Sequence, residues 1–324
     1  MSLLAQVTKG AQARPHFVLL YGVDGVGKST FGAEAPNPIF LGTDDGLDTI
    51  DAAAFPVPKN WEQVKASVSA LLNEPHDYKT LVIDTVNGLE VLLWNYIIAA
   101  DRVSSIEEVG GGFGKGYVLA AEHWSQFLAD LKRLRQKMHV ILLGHAQVKS
   151  FEDPHLNDRF DRFQLKMHEK SAALIREAVS TVLFANFETT TRKEKGAKKA
   201  KAFGDGKRLM FTERRPAFDA KNRFDLPFEM DLSWKAFTDI ADKARPVGQL
   251  PPDDVAKLFA GKETECVAYL VSIEWLLEGQ TITDLAAKYR KKVLNAPDRF
   301  LAAVEEHAKS PAEETTSTNT TTDE

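Results

Sequence analysis

Leu19 to Phe31 reads LLYGVDGVGKSTF. Within it, Gly22-Val23-Asp24-Gly25-Val26-Gly27-Lys28-Ser29 fits the spacing G-x-x-x-x-G-K-[ST]. An apolar run, Phe17 to Tyr21, leads in as a buried strand, and a helical pattern follows. That order suits a phosphate loop. Glycines let the backbone curl so that successive N–H groups of Gly22, Val23, Asp24, Gly25, Val26 and Gly27 face phosphate oxygens. Lys28 is expected to reach the β- and γ-phosphates of ATP. Ser29 is expected to offer its hydroxyl to Mg²⁺, and Thr30 to meet the α-phosphate. The competing reading is a glycine-rich strand–helix turn with an incidental lysine.

A phosphate loop needs an acid for its cation. Thr80 to Asp84, TLVID, is an apolar run ending in a carboxylate. Asp84 is expected to hold the Mg²⁺ shell through water; otherwise it caps the next turn. Hydrolysis also needs a group that orients or deprotonates water. FLGTDDGLD, at the end of the second apolar run, offers Asp44 and Asp45 where ligands gather in open α/β sheets. Asp44 is preferred as general base.

Further strands are expected at Pro38 to Gly42, His139 to Gly144, Ser180 to Phe187 and Arg208 to Thr212. Helical patterns cover Trp61 to Leu72, Leu89 to Ala100 and Tyr117 to Met138. In the last, Leu119, His123, Phe127, Leu131 and Leu134 are read as one face. Alternation of this kind predicts an α/β fold with a mostly parallel sheet flanked by helices. The expected divisions are an N-terminal arm (1–16), a core (17–245), a linker (246–252), a small helical C-terminal region (253–309) and a disordered acidic tail (310–324).

Composition sets bounds. The 324 residues allow one large domain or two ordinary ones, and a net charge of −5 requires any basic surface to be local. A single cysteine, Cys266, excludes an internal disulfide and a multi-cysteine metal site. No apolar run reaches membrane-spanning length. The expected setting is cytoplasmic, without a membrane partner; for a phage-encoded protein this is the host cytoplasm.

The ordered set resembles the core of RecA-like recombinases: phosphate loop, acid after the second strand, LVIDT, glycine-rich loop, long helix and VILLGHAQ. It is closest to the phage Sak-four type single-strand annealing ATPases, over roughly Phe17 to Trp234. The resemblance implies that Asp44 stands where a glutamate activates water, one methylene shorter. It implies a γ-phosphate sensor at the end of the fourth core strand, Gln147, with His145 as second candidate. It implies that Lys221 and Arg223, spaced by one residue as in a KNK-like context, reach across a protomer interface to the neighbour's γ-phosphate. Self-association into a ring or filament follows from that. The first sixteen residues are too short for the polymerisation domain of full RecA, though Ala5, Val7 or Phe17 could touch a neighbour.

Two segments are expected to meet single-stranded DNA. VSSIEEVGGGFGKGY (Val103 to Tyr117) offers Phe113, Lys115 and Tyr117. KSFEDPHLNDRFDRFQLK (Lys149 to Lys166) interleaves Lys149, Arg159 and Arg162 with Phe151, Phe160 and Phe163. Cations for phosphates and aromatics for bases are the chemistry of single-strand binding. From the residues alone, an ordinary surface segment with inward phenylalanines fits as well. Lys193 to Lys207 is a lysine-rich hairpin, either a solvated tip or a second nucleic-acid track. The acidic tail is read as a solubility aid or as a contact for a single-strand-binding protein. The leading expectation is an Mg²⁺-dependent, DNA-dependent ATPase that promotes annealing or strand exchange. The alternatives are a RecA-fold helicase or loader motor, and an ATP-gated DNA-binding module with little turnover.

Overall fold

The structure, a computed structural model, describes residues 14–43, 46, 48, 50–152, 159–192, 201–243, 255, 258–259, 261–282, 285, 289, 293 and 297–309. In chain order the first unit contains β1 (Phe17–Gly22), α1 (Lys28–Ala33), β2 (Pro38–Gly42), β3 (Ala53–Ala54), α2 (Trp61–Asn73), β4 (Thr80–Asp84), α3 (Val86–Asp101) and α4 (Lys115–Leu134). It continues with β5 (His139–Phe151), β6 (Phe160–Leu165), α5 (Glu169–Ala178), β7 (Thr181–Phe187), β8 (Thr190–Arg192), β9 (Lys201–Phe203), β10 (Arg208–Phe211), β11 (Glu229–Asp231) and α6 (Trp234–Ala241). The compact unit so formed spans Arg14–Ala244.

The main sheet runs β11-β10-β7-β1-β5-β4-β2-β3, with β6 paired to β5. β1, β2, β3, β4, β5 and β7 are parallel to their neighbours among themselves, while β6, β10 and β11 pair antiparallel. Buried strands with both faces covered read as continuous apolar runs, and β1 is buried at every position. Its side chains alternate between two cores. Phe17, Leu19 and Tyr21 face a layer that includes Trp61, Leu89, Trp124 and Ile175 from α2, α3, α4 and α5. Val18 and Leu20 face Phe31 of α1 and Trp234 and Phe237 of α6.

Several expectations change here. The buried face of α4 is Ala120, Trp124, Phe127, Leu128, Leu131 and Leu134, while Leu119 is 37% exposed. A helix turns 100° per residue, so the track through Trp124 excludes Leu119. Phe17 is fully buried in β1 and cannot serve a neighbouring copy. The segment after Gly144 is no loop at its base, because β5 continues to Phe151 and β6 returns against it in register Gln147↔Gln164 and Phe151↔Phe160. The basic segment after β7 is a hairpin in which β8 pairs β9; 193–200 lie outside the described residues.

The described residues after Ala244 belong to a second unit. It includes α7 (Glu263–Ser272) and α8 (Pro297–Lys309). Phe259, Leu270, Phe300 and Val304 pack there around Cys266, whose thiol is pushed up to about 11 by burial. Among the described residues no helix is long and apolar enough to cross a membrane. The arm to residue 13, the linker 246–252 and the tail 310–324 lie outside the described residues.

Trp124 has no exposed surface, and its indole packs on Trp61 and Phe127 with ring centroids 5.9 Å away in each case. Its Nε1 makes no hydrogen bond, so truncation removes packing alone. Trp124→Ala is expected to cost about 3–5 kcal/mol, read as a lower urea midpoint by circular dichroism.

Candidate nucleotide site

Gly22 ends β1 between His145 of β5 and Ala185 of β7. A Cβ at Gly22 would collide with the carbonyl oxygen of Ala185, so only glycine lets the chain leave the sheet here. Gly27 then adopts φ +103°, where L side chains are strained, and α1 begins as Phe31 N donates to its carbonyl at 3.1 Å. Lys28 is buried, and its Nζ donates to the carbonyls of Gly22 at 3.3 Å and Val23 at 2.9 Å. Burial pushes its pKa down, partly opposed by Asp24 and Asp84. The amine is curled onto the loop's own carbonyls, which phosphate oxygens would replace with charge-assisted bonds.

Ser29 Oγ donates to Asp84 Oδ2 at 2.5 Å. A hydroxyl and a carboxylate in contact beside the loop are the hard oxygen donors that Mg²⁺ takes, so these residues fit the cation. The cap of the next helix is Thr85 and not Asp84: Thr85 Oγ1 accepts from Gly88 N at 3.4 Å. Thr43 locks the ends of β2 and β4, its amide donating to Asp84 O at 2.8 Å and its Oγ1 accepting from Thr85 N at 3.1 Å. Thr30 is exposed on α1. Asp44 and Asp45 lie outside the described residues.

A family model described as an AAA domain matches residues 14–224. The chain belongs to the AAA domain family. That makes the first unit an AAA-type P-loop ATPase domain, and the family's chemistry is nucleotide binding, typically with Mg²⁺. The chain is also similar to the SPbeta prophage-derived uncharacterized protein YorG of Bacillus subtilis (strain 168), at 23% identity over 144 residues. The matched stretch is 43% of each chain, so this chain spans less than half of that relative.

In this AAA domain the residue that meets the loop from β5 is His145, not Gln147. His145 Nδ1 lies 2.5 Å from Asp24 Oδ1, and its amide donates to Asn87 Oδ1 at 2.8 Å. Gln147 sits two residues further out, with Nε2 donating to Leu165 O at 3.4 Å across the hairpin. The register explains it, since His145 is level with Gly22 and Gln147 is past the sheet's edge.

Lys221 and Arg223 differ in what holds them. Asn222 Oδ1 accepts from Phe224 N at 3.2 Å and Leu226 N at 3.3 Å, which turns the chain after Asn222. Lys221 bridges Val182 by two backbone bonds and donates its Nζ to Arg176 O at 2.7 Å. Burial, then Arg223, draws the pKa of Lys221 down. Arg223 is exposed. Of the expected pair, Lys221 is engaged within its own chain, and Arg223 is the exposed one.

Two residues assigned to DNA turn inward. Arg162 is 3% exposed and is ion-paired with Asp219, which also binds Arg176 at 2.6 Å and lies 3.7 Å from Arg214. Asp219 is tied to β1 as well, its amide donating to Tyr21 Oη at 2.9 Å and its carbonyl accepting from Tyr21 Oη at 2.7 Å. Phe163 packs on Phe184 at 5.0 Å. This hub was invisible in sequence because its members are separated by up to 198 positions. Lys149 is exposed, Phe151 and Phe160 pack edge-on at 5.6 Å, and Arg159 pairs with Glu152 at 3.0 Å. In the glycine-rich loop, Phe113 is 100% exposed, Lys115 Nζ donates to Gly110 O at 2.8 Å, and Tyr117 stacks on His168 at 4.0 Å.

Lys28→Ala is expected to weaken nucleotide binding by roughly 100-fold, through loss of charge-assisted phosphate contacts, measured with a fluorescent nucleotide. Lys221→Ala is expected to lower the free energy of unfolding by about 1 kcal/mol, and Arg223→Ala by less than about 0.5 kcal/mol, measured by urea denaturation.

Proposed function

We propose that this AAA domain is an Mg²⁺-dependent ATPase of the RecA-like recombination type, related to the Sak-four group. In this reading it assembles on single-stranded DNA and promotes annealing or strand exchange. The observation that carries it is the continuity of β5. One strand holds His145 against Asp24 of the phosphate loop and, six residues on, Phe151 in the hairpin with Lys149 and Phe160. A change at the phosphates therefore has a direct mechanical path to a basic and aromatic hairpin.

The phosphate-loop amides and Lys28 bind the nucleotide, and Ser29 and Asp84 hold the cation. Mg²⁺ supplies charge neutralisation at the β- and γ-phosphate oxygens when bound. Asp44 takes the proton from water. Arg223 of a neighbouring copy offsets charge on the transferred phosphoryl group, which makes turnover depend on a ring or filament. Phe113, Lys149, Phe151 and Phe160 face the strand, while a single-strand-binding protein is the further partner proposed.

The commitment of Lys221 to its own α5 favours one second reading, an ATP-gated DNA-binding module with little turnover. Steady-state hydrolysis with and without a single-stranded oligonucleotide separates the two. DNA-stimulated turnover that disappears in Lys28→Ala supports the recombination ATPase. ATP-dependent DNA binding without turnover supports the gated module, and a helicase requires directional unwinding. Phe113→Ala is expected to weaken oligonucleotide binding by roughly 10-fold, the worth of one stacked base, measured by fluorescence anisotropy.

A further inference from the structure

Arg208 opens β10 and carries its guanidinium back to the phosphate loop. A Cβ built on Gly27 would lie 3.0 Å from Arg208 Nη1, 3.8 Å from its Cδ and 3.8 Å from Leu232 Cδ2. The arginine thus rests against the residue just before Lys28. Its backbone is fixed on both sides. It pairs with Phe187 of β7, and its carbonyl accepts from Leu232 N at 3.4 Å. Because β10 runs antiparallel to β7, its first residue lies at the carboxyl edge of the parallel strands, where the loop is. The side chain is exposed, and among the described residues it forms no ion pair. Its neighbour Lys207, by contrast, is 3.7 Å from Glu188. The strand therefore presents a cation with no counter-ion among the described residues, beside a loop built for anions.

Strand order decides which end of the nucleotide it meets. Asp84 ends β4, reached from β1 across β5; Arg208 begins β10, reached from β1 across β7 in the opposite direction. Neighbouring strands are about 4.8 Å apart, so the two groups flank the loop from opposite sides. Mg²⁺ bridges the β- and γ-phosphates. A cation held by Ser29 and Asp84 would set the γ end on the β4 side, and the α-phosphate and sugar on the side of β7 and β10. We propose that Arg208 binds the α-phosphate and nucleoside end of the nucleotide, from the same chain as the loop. This rests on the phosphate-loop reading above. It is distinct from a γ-phosphate sensor on β5 and from the proposed trans cation Arg223, because ADP and ATP share the end that Arg208 addresses.

The test titrates wild type, Arg208→Gln and Arg208→Lys with fluorescent ADP and with a non-hydrolysable ATP analogue, in Mg²⁺. Melting temperatures without nucleotide report the fold. Arg208→Gln is expected to weaken both ligands by about 10-fold and to a similar extent, as for loss of one charge-assisted hydrogen bond. The melting temperature should be unchanged, and Arg208→Lys should recover part of the affinity. A loss confined to the triphosphate analogue would overturn the assignment by moving Arg208 to the γ end. Equal affinities for wild type and Arg208→Gln would also overturn it. Failure of wild type to bind either nucleotide is a different result, and it would overturn the phosphate-loop reading together with this one.

Discussion

The close approach of β7 to the end of β1 is the constraint on which the site depends. With Ala185 O where a Gly22 Cβ would be, no side chain can follow Tyr21 in the sheet, and the chain turns out into the loop. Burial then holds Lys28 inside that loop with its charge partly desolvated, a state that anionic oxygens relieve. The same β1 places Ser29, one residue into the following helix's first turn, against Asp84 from β4. Packing on both faces of the sheet keeps these strands in register, and the core around Phe237 takes in Val26 of the loop itself.

Two connections tie the loop to the surroundings. Through His145 and β5 it reaches the hairpin. Through Tyr21 and Asp219 it reaches the hairpin's return strand, since Arg162 of β6 and Arg176 of α5 converge on the same carboxylate. Arg162 is nearly inaccessible, and a buried guanidinium is tolerable only with a partner. Asp219 is that partner, which fixes β6 to the post-β10 segment and explains why a residue with the composition of a DNA contact is a structural one instead.

Much of the architecture was legible along the chain. The apolar runs at Phe17, Pro38, Thr80, His139 and Ser180 became the parallel strands, because strands buried on both faces leave an uninterrupted apolar signature. The phosphate loop was legible for the same reason: its chemistry depends on consecutive backbone groups, so its residues are neighbours in sequence. The extension of β5 and its pairing with β6 were not legible, because polar, solvent-edge strands such as Lys149 to Phe151 carry no burial pattern. On α4, Leu119 and Trp124 compete for the inward track, and the larger indole takes it.

By itself, then, the amino-acid sequence determined the α/β class, the phosphate loop and the acid that faces it, all encoded by local hydrophobic period or by contiguous backbone. Tertiary structure alone decided which side chains meet that loop from elsewhere. It selected His145 over Gln147 by register, tied Lys221 to the carbonyl of Arg176, and brought Arg208 to Gly27 from the far side of the sheet. Those contacts join residues tens to hundreds of positions apart. Their geometry is set by strand order and packing, which no short window of sequence contains.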